Sequence, residues 1–206
     1  MQSLILSRRD IKENDQIISF YTLEKGKLEV LARGVKKITS KNSAHLEPFS
    51  FVDLEIISGK GIAYLGAAQP VNYFSNIRRD LQKSLSAGFV MSALDKILHE
   101  GEKDQDIFNL ILSWLEFVSL QTSESKYQTL LDSFFVKLLI LLGFDITELE
   151  KASASVKVGL KELSEGNWQA VSKLEYNKQV HNFIYKALVF NTDRKVGDWG
   201  KIVNLT

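Results

Sequence analysis

Four basic residues close together form the part of this sequence best suited to bind an anion. They are Arg33, Lys36, Lys37 and Lys41, and no acidic residue follows them before Glu47. Ammonium and guanidinium groups neutralise the phosphates of a nucleic-acid backbone and release its condensed counter-ions. A solvated loop can be equally basic without such a role, so charge alone leaves both interpretations open.

The sequence on either side of this basic stretch has the pattern of β-strands. Leu28, Val30 and Ala32 alternate with polar positions before it, and residues 49–56 alternate after it. Three similar runs, separated by turn-like sequences, predict five strands within about 70 residues. The runs are 4–6, 17–21 and 62–65, and the turn-like sequences are 24–27 and 58–61. An OB-fold barrel accounts for this pattern, and an SH3-like barrel does so equally.

Beyond residue 76 the hydrophobic spacing changes from the period of a strand to that of a helix. The apolar stripes predict helices at about 81–98, 104–118, 125–142 and 180–188, with shorter helical pieces at 145–173. Both prolines, Pro48 and Pro70, precede this region, as expected if the remainder is helical. We therefore predict an α+β protein, with a five-stranded OB-fold β-barrel domain at 1–75 and an all-helical domain at 76–206.

Composition and charge indicate a globular protein and argue against a membrane protein. The 206 residues are 45% hydrophobic and 25% charged, which is ordinary for a globular protein. Residues 1–83 carry 13 basic and 9 acidic side chains, whereas residues 84–206 carry 13 and 16, so the basic excess lies in the first domain. The longest apolar run, 134–144, is shorter than the roughly 20 residues of a membrane span. The N-terminus has no signal-peptide pattern, so we expect a cytoplasmic protein without a membrane partner.

The sequence contains no recognisable catalytic motif. The chain has no cysteine, which excludes disulfides, thiolate metal sites and cysteine nucleophiles. His45, His99 and His181 are far apart and have no second ligand at metal-binding spacing. Neither a Gly-x-Ser-x-Gly frame nor a phosphate-binding P-loop occurs. Glu148 and Glu150 are expected to be solvated rather than an acid–base pair. We therefore expect a binding protein with no catalytic residue, cofactor or metal.

Aromatic residues are the remaining candidates for contact with bases, because OB-folds combine a basic groove with stacking aromatics. The strand aromatics Phe20, Tyr21, Phe49 and Tyr64 are candidates, and we expect fewer than half to stack because alternation buries one face of each strand. Trp114 lies in an apolar stripe and is expected in the core. The sequence leaves Trp168 and Trp199 open.

An ordered set of short motifs resembles the N-terminal domain of the recombination mediator family RecO. The set comprises Arg8 with 13–15, the hairpin 22–28, Ala32-Arg33-Gly34 with Lys36-Lys37 and Ser40-Lys41, Leu46-Glu47-Pro48-Phe49, Gly59-x-Gly61, and 76–81. The resemblance covers roughly residues 1–100 and continues more loosely, by helix pattern, to 142–144. Many relatives carry four cysteines of a zinc module after that point. This chain has none, a condition that also occurs within the family.

The resemblance implies a protein that binds single- and double-stranded DNA and anneals complementary strands without ATP. It also implies work with RecR to load RecA onto DNA coated by single-stranded-DNA-binding protein. The DNA-contacting positions would be Arg8, Arg9, Arg33, Lys36, Lys37 and Lys41.

A receptor for the acidic, apolar-ended tail of single-stranded-DNA-binding protein should pair a basic residue with an apolar groove. Lys126 and Lys137 flank the broad apolar helix and are the candidates, although such a lysine is more often an ordinary surface residue. One alternative function is an OB-fold module that binds an acidic protein partner and no DNA. A second is an unrecognised hydrolase.

Overall fold

The structure, a computed structural model, describes residues 1–37, 45–59, 61–121, 127–147 and 152–202. Its strands are β1 (Gln2–Asp10), β2 (Gln16–Thr22), β3 (Gly26–Ala32), β4 (Phe51–Ser58) and β5 (Ala63–Asn72). Its helices are α1 (Ser75–Arg78), α2 (Leu81–Ile97), α3 (Gln105–Leu120), α4 (Tyr127–Leu141), α5 (Ala154–Glu165), α6 (Trp168–Val171), α7 (Lys178–Thr192) and α8 (Trp199–Ile202). None of the helices within these residues is long and apolar enough to cross a membrane.

The five strands close into a barrel in the order β1-β2-β3-β5-β4. All neighbouring pairs are antiparallel except β3 and β5, which pair in parallel through Val30–Ala63 and Leu31–Tyr64. This is a small closed Greek-key barrel of the OB-fold type. The predicted α+β fold, with an OB barrel followed by helices, is confirmed.

The barrel core follows directly from strand alternation. Ile18 and Phe20 of β2 and Val30 of β3 point inward and are fully buried. Val35 and Leu46, which lie in the connection between β3 and β4, are buried in the same core. The start of the basic stretch is therefore tied to the barrel by an apolar side chain.

The hairpin between β2 and β3 depends on a glycine. Gly26 has φ 68°, which side chains rarely adopt, and a Cβ at this position would lie 2.1 Å from the carbonyl oxygen of Glu102. Thr22 Oγ1 accepts a hydrogen bond from the amide of Lys25 and donates one to the carbonyl of Gly26. The predicted turn at 24–27 is confirmed, and the close approach adds a second reason for glycine.

The long helices occur where the hydrophobic spacing predicts them. Asp104 caps α3, since its carboxylate accepts hydrogen bonds from the amides of Asp106 and Ile107. Beyond the end of α4, Gly143 has φ 88°. The pieces predicted between 145 and 173 correspond to α5 and α6.

The chain forms two compact units. The first comprises 1–75 and 90–108, and the second comprises 76–89 and 109–206. Helices α2 and α3 therefore each contribute to both units, and the predicted division at residue 75 stays a prediction.

The second unit has an aromatic core. Trp114 packs edge-on against Phe134, and Phe135 packs against Trp199 with ring centroids 4.5 Å apart. Both tryptophans are fully buried, so the expectation for Trp114 is confirmed and Trp199 is also a core residue. Trp168 is only half-buried, and its indole nitrogen donates to Ser113 Oγ at 3.2 Å.

Candidate nucleic-acid interface

Part of the outer barrel surface is covered within the first unit. The carboxylate of Asp95, on α2, accepts hydrogen bonds from Ser7 Oγ at 2.7 Å and Ser19 Oγ at 2.6 Å. Lys27 adds an ion pair to Asp95 at 3.2 Å and donates to the carbonyls of Asp95 and Leu98. This end of strands β1 to β3 is therefore closed to a ligand by the second half of α2.

Away from α2, the barrel carries a row of outward-facing residues, one from each strand. Pairing places Arg9 beside Ile17, Ile17 beside Leu31, Leu31 beside Tyr64, and Tyr64 beside Ile57. Ile57 is 57% exposed, and the other apolar members are half-buried. This row offers apolar and aromatic surface on which unpaired bases can stack.

The side chains of Arg33 and Tyr64 pack against each other at this row. The guanidinium carbon of Arg33 lies 4.3 Å from the centroid of the Tyr64 ring, and Arg33 Nη2 donates to the phenol oxygen at 3.0 Å. Gly59 leaves room for the ring, because a Cβ there would lie 2.3 Å from Tyr64 Cε2. Since Arg33 is exposed, its guanidinium plane presents a second surface on which a base can stack.

A shallow groove of about 550 Å³ adjoins Arg33, between the β1–β2 loop and the turn that follows β3. It is lined by Lys12, Glu13, Asn14, Asp15, Arg33, Gly34 and Lys37. Two hydrogen bonds fix the two segments together. The amide of Gly34 donates to Asp15 Oδ1 at 2.7 Å, and the amide of Lys36 donates to the carbonyl of Asn14 at 3.2 Å.

Arg33 and Lys37 are thus brought together at one groove, as a phosphate contact requires. Lys37 is exposed, and its ammonium makes no hydrogen bond or ion pair within the part of the chain that the structure describes. Lys12 adds a third cation, which sequence reasoning missed because it lies in another loop. The loop between the first two strands of an OB-fold is a common contact element, and this rule points to Lys12.

The other described candidates carry carboxylate partners. Arg8 pairs with Glu47 at 2.7 Å, Arg9 with Glu29 at 2.8 Å, and Lys36 with Asp10 at 2.6 Å. The hydrogen bond from Lys36 holds the pKa of the Asp10 carboxyl below its ordinary value. Lys41 lies outside the described residues.

The strand aromatics divide as alternation predicts. Phe20 and Tyr21 are fully buried, and Phe49 is 7% exposed, so these three belong to packing rather than to the open surface. Tyr64 is the stacking candidate that remains. The sequence pattern does not show which residues of β5 face outward, so it could not distinguish Tyr64 from the other three aromatics.

The candidate lysine of the helical unit is engaged in its own fold. Lys137 is half-buried, donates to the carbonyl of Ser164 in the last turn of α5, and lies 5.6 Å from the ring centroid of Trp168. Burial lowers the pKa of its ammonium. Lys126 lies outside the described residues.

The histidines are dispersed, and no group of acidic or histidine side chains among the described residues could hold a metal ion. His181 is 2% exposed and lies between two carboxylates, with Nδ1 at 2.8 Å from Asp132 and Nε2 at 3.0 Å from Asp198. Trp199 Nε1 also donates to Asp132 at 2.7 Å. This arrangement tethers α8 to α4 and α7.

Fold and surface together define an OB-fold protein with an appended helical unit, and its open face has the residue types with which OB-folds bind single strands. The family model described as "Recombination protein O N terminal" matches residues 1–74, and "Recombination protein O C terminal" matches residues 78–183. The chain belongs to the recombination protein O (RecO) family.

Curated relatives agree with this assignment. DNA repair protein RecO of Desulforamulus reducens is 29% identical over 159 residues, which cover 76% of this chain and 60% of that protein. DNA repair protein RecO of Geobacter metallireducens is 31% identical over 115 residues, covering 56% of this chain and 47% of that protein. The corresponding protein of Alkaliphilus metalliredigens is 24% identical over 172 residues, with coverage of 84% and 67%. The chain thus spans about half to two thirds of the length of these relatives.

Proposed function

We propose that this chain is a DNA-binding recombination mediator that acts in DNA repair and anneals complementary single strands without ATP. In the same proposal it works with RecR to load RecA onto DNA coated by single-stranded-DNA-binding protein. The observation that carries the DNA-binding part is the juxtaposition of the Arg33–Tyr64 pair with the groove containing Lys12 and Lys37. The names of the relatives support the repair role.

The chemistry of annealing fits this surface. Two strands repel each other through their phosphates, and exposed cations lower that repulsion while leaving the bases free to pair. Stacking of a base on Arg33 would hold a single strand in an extended form without reading its sequence. No bond is made or broken, so the proposal assigns no catalytic residue.

A direct test is fluorescence anisotropy with a labelled single-stranded oligonucleotide, measured over a range of salt concentrations. We expect salt-sensitive binding by the unmodified chain. The double variant Arg33→Glu/Lys37→Glu should weaken binding by about tenfold or more and reduce the salt slope by roughly 1 for each lost contact. ATP-free annealing of two complementary strands should fall in parallel.

The matched control is Lys173→Glu/Lys186→Glu, which changes the net charge equally at exposed lysines of the second unit. Its binding and annealing should stay close to those of the unmodified chain. If the unmodified chain shows no salt-sensitive binding, or if both double variants lose affinity equally, DNA binding by the barrel face is wrong. The exposed Ile57 and Ile62 would then favour the alternative of a protein-interaction module.

Binding of the tail of single-stranded-DNA-binding protein, with Lys126 and Lys137 as contacts, is a separate proposal. Its test is titration of a labelled tail peptide against Lys137→Ala and against the exposed control Lys186→Ala. A loss of affinity restricted to Lys137→Ala supports a contact. Because Lys137 also binds the carbonyl of Ser164, the stability of each variant must be measured alongside. Unchanged affinity removes Lys137 from the site.

A further inference from the structure

Three carboxylates, one exposed and two half-buried, lie where phosphates would be expected to bind. Each forms an ion pair with one of the barrel's basic residues. The pairs are Asp10 with Lys36, Glu29 with Arg9, and Glu47 with Arg8. Their nitrogen–oxygen distances of 2.6 to 2.8 Å are those of charge-assisted hydrogen bonds, the kind that a phosphate oxygen would make with the same cations.

These pairs can exchange partners without unfolding. The side chain of Arg9 is 60% exposed and that of Glu29 is 36% exposed, while Asp10 is 56% exposed. Exposed ion pairs contribute little net stability, because water and salt compete for both partners. A phosphate can therefore replace the carboxylate at the same cation.

Replacing the carboxylate by a phosphate at such a cation adds little to the affinity for DNA. When a phosphate displaces a carboxylate, one ion pair is lost for each one gained, so the net gain in affinity is small. Lys37 and Arg33 form no ion pair with a described carboxylate, so a phosphate that binds them displaces no ion pair. The groove beside these two residues should therefore hold most of the phosphate contacts.

We propose that Asp10, Glu29 and Glu47 act as internal phosphate mimics that weaken the barrel's hold on DNA and concentrate it at the groove of Arg33 and Lys37. This inference rests on the proposed DNA binding and concerns its strength and position. A protein that anneals strands must release the duplex that it forms. Carboxylates that compete for the cations speed that release, since they are already in place when a phosphate leaves.

The proposal is tested with a variant that should bind DNA more tightly than the unmodified chain. The triple variant Asp10→Asn/Glu29→Gln/Glu47→Gln keeps the shapes of the side chains and removes their charges. Affinity for a single-stranded oligonucleotide should rise up to about fivefold for each freed cation, and about tenfold or more for the three together. The salt slope should steepen by up to about 1 per freed cation, and dissociation from the annealed duplex should slow.

A control variant separates this effect from overall charge. Glu55→Gln/Glu100→Gln/Glu116→Gln removes three exposed carboxylates that form no ion pair with a described residue. It should bind DNA more tightly than the unmodified chain by at most about twofold at physiological salt, where charges beyond the Debye length are screened. Equal affinity of the two triple variants would overturn the inference while leaving DNA binding intact. Absence of binding by the unmodified chain would overturn both.

Discussion

The two compact units use their charged side chains in different ways. In the barrel unit, Arg9 and Glu29 form a solvent-exposed pair that water and salt can break. In the helical unit, His181 and Asp132 form a pair in which each side chain is only 3% exposed. An exposed pair adds little stability and can accept another partner, whereas a buried pair cannot lose one member without leaving a charge out of water. The exposed pair thus holds charges that a ligand can take over, whereas the buried pair holds charges that folding requires.

The lysines divide in the same way, and one lysine that binds a helix end, Lys27 at the end of α2, belongs to the barrel unit. Lys83 is 6% exposed and donates to the carbonyls of Ser119, at 3.4 Å, and Gln121 at the end of α3. Lys137 makes the equivalent contact at the end of α5. A cation at a helix C-terminus satisfies carbonyls that lack an intrahelical partner and opposes the negative end of the helix dipole. These lysines stabilise their helices, in contrast to the exposed Lys12 and Lys37 of the groove.

The largest effect should follow from breaking the buried pair. Asp132→Ala leaves His181 without its Nδ1 partner and Trp199 Nε1 without its acceptor. We expect the free energy of unfolding to fall by about 3–5 kcal/mol, as measured for buried pairs that lose one partner. Urea unfolding followed by Trp fluorescence measures it. Glu29→Ala is the exposed counterpart and should cost at most about 1 kcal/mol. Equal losses in the two variants would contradict the distinction between the exposed and the buried pair.

A smaller effect is expected at the barrel surface, and it concerns DNA rather than stability. Tyr64→Ala removes the ring beneath Arg33, and should weaken single-strand binding by about 1–3 kcal/mol with little change in the salt slope. Tyr64→Phe keeps the ring and removes only the phenol oxygen, so it should bind nearly as the unmodified chain does. Anisotropy titrations at two salt concentrations separate stacking from charge. If the two variants lose affinity equally, the hydrogen bond to the phenol oxygen matters and the ring does not.

Lys83 allows a test of the structural lysines. Lys83→Met keeps the apolar stem and removes the donor from the carbonyls of Ser119 and Gln121, which should cost about 1–3 kcal/mol of stability. DNA affinity should not change. Lys186→Met, at an exposed position of α7, should alter stability by no more than about 0.5 kcal/mol. Chemical denaturation of both variants gives the comparison, and a neutral Lys83→Met would mean that water satisfies those carbonyls equally well.

Much of the fold could be predicted because its signals are local. Alternation along β2 and β3, Gly26 in the hairpin and the apolar stripes of α2 to α4 each specify an element from neighbouring residues. Fully buried aromatics such as Phe134 then follow from their place in a stripe. The ordered motifs from Arg8 to Phe49 added the family, which the family comparison confirms.

The candidate site could be predicted only in part, because it depends on contacts between distant segments. The sequence shows that Lys36 and Lys37 are adjacent and basic, but not that Asp10 engages Lys36 while Lys37 has no ion-pair partner among the described residues. Nor does it show that a helix end engages Lys137. Exposure and charge at one position do not reveal which partner the fold brings to it. The structure thus divides the basic residues by what they contact.

The smallest expected effect is a difference between the two units in how their stability depends on pH. For Asp95, burial raises the pKa, but hydrogen bonds from Ser19 and Ser7 and the charge of Lys27 outweigh it and hold the pKa below the ordinary 3.8. For His181, burial lowers the pKa, but the carboxylates of Asp132 and Asp198 outweigh it and hold the pKa above the ordinary 6.5. The two units should therefore lose stability at opposite ends of the pH range.

The direction follows from proton linkage. The contribution of Asp95 is present above pH 3.8 and is lost as the pH falls through its lowered folded pKa. The contribution of His181 is complete below pH 6.5 and is lost as the pH rises through its raised folded pKa. Hydrogen exchange of peptides from each unit, corrected for the intrinsic rate at each pH, resolves the two separately. Asp95→Asn should flatten the acid limb of the barrel unit, and His181→Asn the alkaline limb of the helical unit. Loss of both limbs in either single variant would show that the units do not carry separate charge networks.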